Sequence, residues 1–518
     1  MNDARHRLQS GAPLIAASLF LVVGLYLVYQ LIAYSKAGAF EFPLDDVYIH
    51  LAMSEQIAAG GYGVNAGEYT SAASSPLYPF LLVPFAGTSS QIWVAVFWNV
   101  FALVGATVLW VRITLDAVSN TRMATLLALL GPLAFNLAGI TMVAMEHTLH
   151  VLAVMATLRG VQIYLNEGRV NWLLFAGTAI GVLIRFEGLA VSGAAGLLLA
   201  MTGRWKAGGA LFGVSVALVG AFMAFLMSLG LEPFPNSVMS KISGPTGSPD
   251  FAFQNMLLKL KVQLRSETAI VMAVAVIVAA AMLPRVWRSD TRARAILAAT
   301  VFTGSAQLLL GQFGWFERYE LYAMSFVFGM LLLVVFTNDD YATMRTLFLV
   351  GMVFLAGNYT RWMLKYGTWG PSGILAQQQN ASTFVKEYYK KPIAVNDLGL
   401  VAWGNPNYVL DLWGLASYRA LKTRMENPYD GWTGDLTDEA NIDLAIVYDG
   451  WFEDGLGKNW VKVGTLRYSY HIGFLGGRDV SYYATRPEAA PELRRLIAEF
   501  SPNVVGPAEM WVEPKGQE

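Results

Sequence analysis

Apolar runs of about 20 residues recur along this chain, and each has the length an α-helix needs to cross roughly 30 Å of hydrocarbon. The first, "GAPLIAASLFLVVGLYLVYQLIAY" (11–34), follows the basic stretch "MNDARHRLQS" and ends without a small-residue cleavage site. It is too long for the apolar core of a signal peptide, so it is expected to remain as a first helix. Further spans are expected near 91–112, 122–141, 146–165, 171–186, 188–203, 207–229, 268–284, 294–313, 319–337 and 345–363, about eleven helices in all. Composition agrees: the 518 residues are 55% hydrophobic and 14% charged, with a mean hydropathy of +0.44, too apolar for an ordinary soluble protein. A formal net charge of −1 gives no ground for a nucleic-acid partner. Cysteine is absent, which excludes disulfides, thiolate metal sites and cysteine nucleophiles.

With a cytoplasmic N-terminus, Arg112, Arg122, Arg169, Arg204, Lys206 and "RVWRSDTRARA" (285–295) all fall inside, which satisfies the positive-inside rule several times over. The same count places 35–90, 230–267 and everything after about 364 on the outer face. Residues 35–90 are expected to hold an amphipathic helix near 46–59 and a Pro-bounded apolar one at 76–86, both lying in the membrane interface. "FAFQNMLLKLKVQLR" (251–265) repeats the theme, with Lys259, Lys261 and Arg265 placed against the orientation bias. From about 370 long apolar runs vanish. Short β-rich stretches at 392–397, 408–412, 443–449 and 460–466 alternate with helices expected at 373–390, 415–426 and 489–499, the pattern of a soluble α/β domain. The organisation expected is a transmembrane module over 1–368 and an α/β domain over 369–518.

"EFPLDDVYIH" (41–50) sets Asp45 and Asp46 at the start of an outer helix. Two readings stand. The pair caps the helix, accepting from free N–H groups at the positive end of its dipole. Alternatively it belongs to a pocket, because other isolated ionisable residues are expected on the same face: Glu146, Arg185 and Glu187 in "LIRFEG", Lys241 in "EPFPNSVMSKISG", and Glu317, Arg318 and Glu320 in "GWFERYE". Charge at that depth is costly and usually functional.

The collinear series "LDDVYIHLAMSEQIAAGGYGVNAGEYTSAASSPLYPFLL", "MVAMEHTLHVLAV", "GVLIRFEGLAV", "LGLEPFPNSVMSKISG", "GWFERYELYAMSF" and "IAVNDLGLVAWGNPNYVLDLWGLAS" resembles bacterial integral-membrane glycosyltransferases of the GT-C fold. The branch it is most like is the lipid-linked arabinofuranosyltransferase-like and mannosyltransferase-like group. The resemblance runs from the first helix to about residue 420. It implies a GT-C-like polytopic α-helical module that moves a pentofuranose or hexose from a polyprenyl-phosphate donor to an acceptor hydroxyl, with inversion, at the outer face of the bacterial inner membrane. The C-terminal domain is then periplasmic. Partners implied are the lipid-linked donor, membrane lipids and a glycan, protein or lipid acceptor.

By that analogy Asp45 is the general base and Asp46 orients the acceptor or shares the proton. A like charge beside a base raises its pKa toward a useful range. A lipid phosphate leaving group needs cations. Lys241 and Arg318 are the first candidates and Arg185 the next, with Lys259, Lys261 and Arg265 guiding the headgroup. Glu146 would bind donor hydroxyls or position Lys241. Tyr48, His50, Asn65, Glu68, Asn236, Glu317 and Asp397 complete the expected sugar-binding set. No cofactor is expected. His50, His147 and His150 beside carboxylates allow a divalent metal to be drawn, but without a recognised ligand spacing. The rival readings are a lipid-linked sugar flippase and a scaffold subunit of envelope assembly. Ionisable residues gathered at one membrane face, rather than at the midplane, favour catalysis.

Overall fold

The computed structural model describes residues 2–242, 253–337, 341–470 and 474–514, without the side chains of 2–10, 241–242 and 253–255. Among the described residues, eight helices are long and apolar enough to cross a membrane: Gly11–Ala37, Ser89–Ala117, Thr121–Val143, His147–Glu167, Trp205–Ser228, Glu267–Val286, Thr291–Leu310 and the run Ala342–Tyr389. Three further apolar helices, Trp172–Ile184, Gly188–Met201 and Leu321–Val335, sit where spans are expected but contain only 13, 14 and 15 residues. The cause is local. Between the first two, Arg185 takes an extended backbone and, with Glu187, ends one short helix before the next begins. The chain is a multi-pass α-helical membrane protein carrying a small C-terminal sheet domain.

The chain divides into two compact units, one built from Met1–Tyr29, Val96–Phe222 and Phe251–Leu364, the other from Gln30–Ala95, Met223–Asp250 and Lys365–Glu518. In the first, helices meet where side chains are small: a Cβ on Gly208 would lie 2.4 Å from the Gly196 carbonyl oxygen, the close backbone approach on which helix pairs in lipid depend. Hydroxyls within these helices return to the preceding turn, Thr107 to Leu103 O (2.8 Å) and Thr300 to Ile296 O (2.9 Å), so apolar surroundings leave them satisfied.

The second unit is built on a six-stranded mixed sheet: β1 (Ile393–Val395), β2 (Val409–Asp411), β3 (Leu444–Val447), β4 (Val461–Tyr468), β5 (Asp479–Ala484) and β6 (Ala508–Val512), in the order β2-β1-β3-β5-β4-β6. β1 pairs parallel with β2 and β3, and the remaining pairs are antiparallel. The parallel strands are buried at every residue, as strands covered on both faces must be. Leu410, Leu412, Trp432, Leu436, Ala445 and Phe452 form the core over one face.

Two expectations for 35–90 need correction. The helix expected near 46–59 is present as Asp46–Ala58, but Val47 to Ser54 are buried without a break, so it is an internal helix of this unit and not one floating in headgroups. The helix expected at 76–86 shrinks to one turn, Tyr78–Leu81, with Pro79 in its first turn, where proline is compatible with a helix; Pro84 lacks the N–H that a continuing helix needs.

Candidate active site

The three parallel strands end together in polar residues. β1 runs into Asn396 and Asp397, β2 closes on Asp411, and β3 runs into Tyr448. In open sheets, ligands settle outside the carboxyl ends of parallel strands, at the point where the chain reverses its direction of strand addition. The order β2-β1-β3 puts that point between β1 and β3. There Asn396 Oδ1 accepts from the Tyr448 N–H at 2.9 Å, and Asp397 Oδ2 accepts from Gln378 Nε2 at 2.8 Å. Asp411, 1% exposed, accepts from the N–H groups of Trp413 (2.8 Å) and Ala416 (2.6 Å).

Asp45 belongs to the same unit and is half-buried. It precedes the helix Asp46–Ala58 but makes no side-chain cap to it, which corrects the simple capping reading. Its carboxylate instead receives the first N–H groups of a different helix, Gly399–Ala402: Oδ2 accepts from Gly399 at 2.7 Å and Oδ1 from Leu400 at 2.9 Å. Lys386 Nζ donates to Leu400 O (3.0 Å) and to Trp403 O at the far end of that turn, so orphan groups at both ends of a four-residue helix are satisfied. Gly399 makes this approach possible, since a Cβ there would lie 2.2 Å from Asp45 O and 2.7 Å from its Oδ2.

These carboxyls are pushed away from ordinary behaviour. Burial, then the charge of Asp397, raise Asp45 well above the usual carboxylate range, against the Leu400 and Gly399 N–H groups that favour its ionised form; Asp46 adds to the rise. Asp397 is raised to about 6 by burial, opposed by the Gln378 hydrogen bond and assisted by the charge of Asp46. Asp411 is raised to about 6 by burial in spite of its backbone donors. Like charges sharing one low-dielectric site cannot all ionise freely, and a carboxyl in this range can take up a proton near neutral pH. Glu41 went unread although it opens the quoted stretch. Burial raises it to about 7, against donors from Tyr48 OH and the Phe42 N–H. Only the acid's closeness to "PLDD" could have signalled it.

The remaining expected residues of this unit are placed as follows. Tyr48 donates its hydroxyl to Glu41. His50 is buried with its ring edge-on to Tyr78 at 5.3 Å. Asn65 reaches the edge strand: its Nδ2 donates to Val409 O at 3.0 Å and its Oδ1 accepts from the Val409 N–H at 2.9 Å. The same amide donates to Glu68 at 2.8 Å, and Glu68 accepts from Tyr408 OH at 3.4 Å. Asn65 and Glu68 thus clamp the open edge of β2, a job their quoted motif does not announce. The N–H of Asn236 donates to Ser71 O at 3.2 Å. Lys241 lies in the last turn of the helix Asn236–Ile242, and its side chain lies outside the described residues.

Arg185, Glu146, Arg318 and Glu317 belong to the other unit. Arg185 is gripped by two carboxylates, Nη1 to Glu146 at 2.6 Å and Nη2 to Glu187 at 2.7 Å, with His147 Nε2 3.2 Å away. Burial raises Glu187, but the Arg185 charge outweighs it and holds that carboxyl down at about 2. One guanidinium between two carboxylates carries no surplus positive charge of its own, and Glu146 is one of its two ion-pair partners. Arg318, 2% exposed, touches Met145 Sδ and Tyr319 OH, each at 3.1 Å. It follows Gly314, Trp315, Phe316 and Glu317, four consecutive residues at positive φ (81°, 45°, 68° and 49°), a strained run of the kind kept at functional sites. Burial, then the charge of Glu320, raise Glu317 to about 9. Lys259 Nζ donates to Leu310 O at 3.0 Å.

Among the described residues no group of three or more His, Asp or Glu is placed to hold a metal ion. His150 stacks on Tyr322 at 4.6 Å.

A family model described as a domain of unknown function (DUF8728) matches residues 372–483, the stretch that holds Gln378, Asn396, Asp397, Asp411 and Tyr448. No curated protein matches the chain. Among solved structures, the oligosaccharyltransferase of Archaeoglobus fulgidus, crystallised with a tethered acceptor peptide containing the NVT sequon, is similar with a TM-score of 0.43 and 11% identity over 89% of this chain and 74% of that one.

Proposed function

We propose that the chain is an inverting membrane glycosyltransferase of GT-C type that moves a sugar from a polyprenyl-phosphate donor to an acceptor hydroxyl on the outer face of a bacterial inner membrane. The observation that carries this reading is the carboxylate cluster itself. Asp45 is fixed by two backbone donors and lifted in pKa by burial and by Asp397. Each of its oxygens keeps a second lone pair, so the group is oriented yet still able to accept a proton. In the reaction, Asp45 removes the acceptor hydroxyl proton as that oxygen attacks the anomeric carbon. The bond from anomeric carbon to phosphate oxygen breaks, its electron pair leaves on the polyprenyl phosphate, and the configuration at carbon inverts. Asp46 and Asp397 keep the base's affinity for the proton high through like charge.

A scaffold has no use for an oriented carboxylate of raised pKa; a proton-coupled flippase does, and sugar transfer separates it from the transferase reading. The test is transfer by the purified full chain in detergent, offered polyprenyl-phosphate arabinofuranose and polyprenyl-phosphate mannose with a mixed glycan acceptor. Product of inverted anomeric configuration from either donor supports the reading. Retention of configuration, or no transfer from any polyprenyl-phosphate sugar, overturns it.

A further inference from the structure

Leu400 is gripped at both of its backbone groups. Its N–H donates to Asp45 Oδ1 at 2.9 Å, and its carbonyl oxygen accepts from Lys386 Nζ at 3.0 Å. The same ammonium donates to Trp403 O, and the N–H of Gly399, one residue before Leu400, donates to Asp45 Oδ2 at 2.7 Å. A cation and the carboxylate assigned as base are therefore joined by a single turn of backbone. Lys386 is partly buried and sits in the π-helical turn Phe384–Tyr389, a distortion that clusters at functional sites.

Capping alone does not account for an ammonium at this place. Leu400 O already has a neutral donor in Ser382 Oγ at 2.9 Å, and Val401 O accepts from Asn405 Nδ2 at 3.1 Å. Burying a charge costs more than burying a neutral donor, so a fold that needed only these carbonyls satisfied gains nothing from one. Asp45 does gain. Of the ionisable groups that act on that carboxyl, Asp397 and Asp46 are acids that oppose its ionisation and Tyr48 and Tyr448 are phenols, whereas Lys386 is positive. Glu55, the other acid within electrostatic reach of Lys386, is engaged by the Gly404 N–H at 2.9 Å. The helix Ala490–Phe500 packs against the same turn and gives its acids to other cations, Glu492 to Lys391 at 3.1 Å and Glu499 to Arg495 at 3.6 Å.

We propose that Lys386 is a positioning residue for the base: through Leu400 its ammonium fixes the two N–H groups on which Asp45 rests, and its charge keeps that carboxylate ionised. The proposal rests on the transferase reading. A base must have lost its proton before it can take one from an acceptor, and burial beside two other acids works against that loss. Lys386 supplies the opposing charge without touching the carboxylate, so both Asp45 oxygens keep a lone pair for the acceptor hydroxyl.

The test is an infrared titration of the full chain in detergent, reading the protonated-carboxyl band that the parent shows and Asp45→Asn lacks, followed by transfer assays on the same proteins. Lys386→Gln keeps a donor for the carbonyls and removes the charge, whereas Lys386→Arg keeps the charge. Expected for Lys386→Gln is a midpoint about 0.5–1 pH unit above that of the parent. Below that midpoint its kcat is about 3- to 10-fold lower with KM unchanged, and the deficit closes as pH rises. Lys386→Arg stays at the parental midpoint and rate. Lys386→Met carries the same expectation as Lys386→Gln, so either protein alone decides if the other fails to fold. A midpoint unmoved by loss of the charge overturns the proposal. So does a loss shared equally by Lys386→Arg, which would make the residue a support for the helix and nothing more. A shifted midpoint in a protein that transfers no sugar leaves the hold on Asp45 standing and removes only the reaction it serves. An unmoved midpoint in a protein that does transfer sugar removes only the hold, so the two failures are separable.

Discussion

Asp45 is held by backbone donors 354 and 355 positions away in sequence, and Gly399 is the residue that lets them arrive. Gly399→Ala would place a methyl 2.2 Å from Asp45 O. Overpacking of this kind costs about 1–3 kcal/mol, and here it also moves the carboxylate. The variant is expected to lose transfer activity as severely as Asp45→Ala while keeping its helical circular dichroism, which a paired activity and spectroscopic assay checks. Asp397 supplies a pH dependence whose sign follows from burial. Its carboxyl ionises at about 6 in the fold and near 4 in the unfolded chain. Stability is thus full below about pH 4, falls as pH rises through that window, and stays reduced above it. Asp397→Asn removes the loss. Thermal unfolding should show the variant melting above the parent at about pH 7.5, with the difference closing toward pH 4. At this scale the sequence was half legible. Two adjacent acids beside an apolar segment are conspicuous because their burial is expensive. The clamp of Asn65 on Val409 spans 344 positions, and nothing local to "GVNAGEYTS" encodes such a partner.

Among elements, β1 to β4 were readable as short apolar stretches between turn residues, whereas β5 and β6 were not. β5 has the alternation of a strand in Val480, Tyr482 and Ala484, but the Gly-rich stretch before it reads as loop. The helix run entering the second unit was legible as helix, and its π-helical turns were not, because a turn of that kind is set by packing. The short helices on either side of Arg185 illustrate the same limit. Hydropathy draws two spans there, while the buried pairs with Glu146 and Glu187 decide where each helix stops. Arg185→Met leaves Glu146, fully buried, without its counter-charge. Breaking such a pair costs about 3–5 kcal/mol, so a large drop in the unfolding temperature of the detergent-solubilised protein is expected. A merely phosphate-binding arginine would lower activity and leave the unfolding temperature in place.

For the whole molecule, hydropathy alone located the eight long apolar helices among the described residues, because about twenty apolar residues in a row permit few alternatives in lipid. It could not group the chain into its two compact units, since each is assembled from three separated stretches. The central claim, that an oriented carboxylate of raised pKa takes the acceptor's proton, is tested most directly by the pH dependence of kcat/KM for sugar transfer. The parent should show activity rising with pH through an apparent pKa above the ordinary carboxylate range. Asp45→Asn should lose that limb together with about 10²-fold or more of kcat, while Asp46→Asn keeps the limb. An Asp45→Asn protein that turns over at the parental rate with the same acid limb would contradict the account.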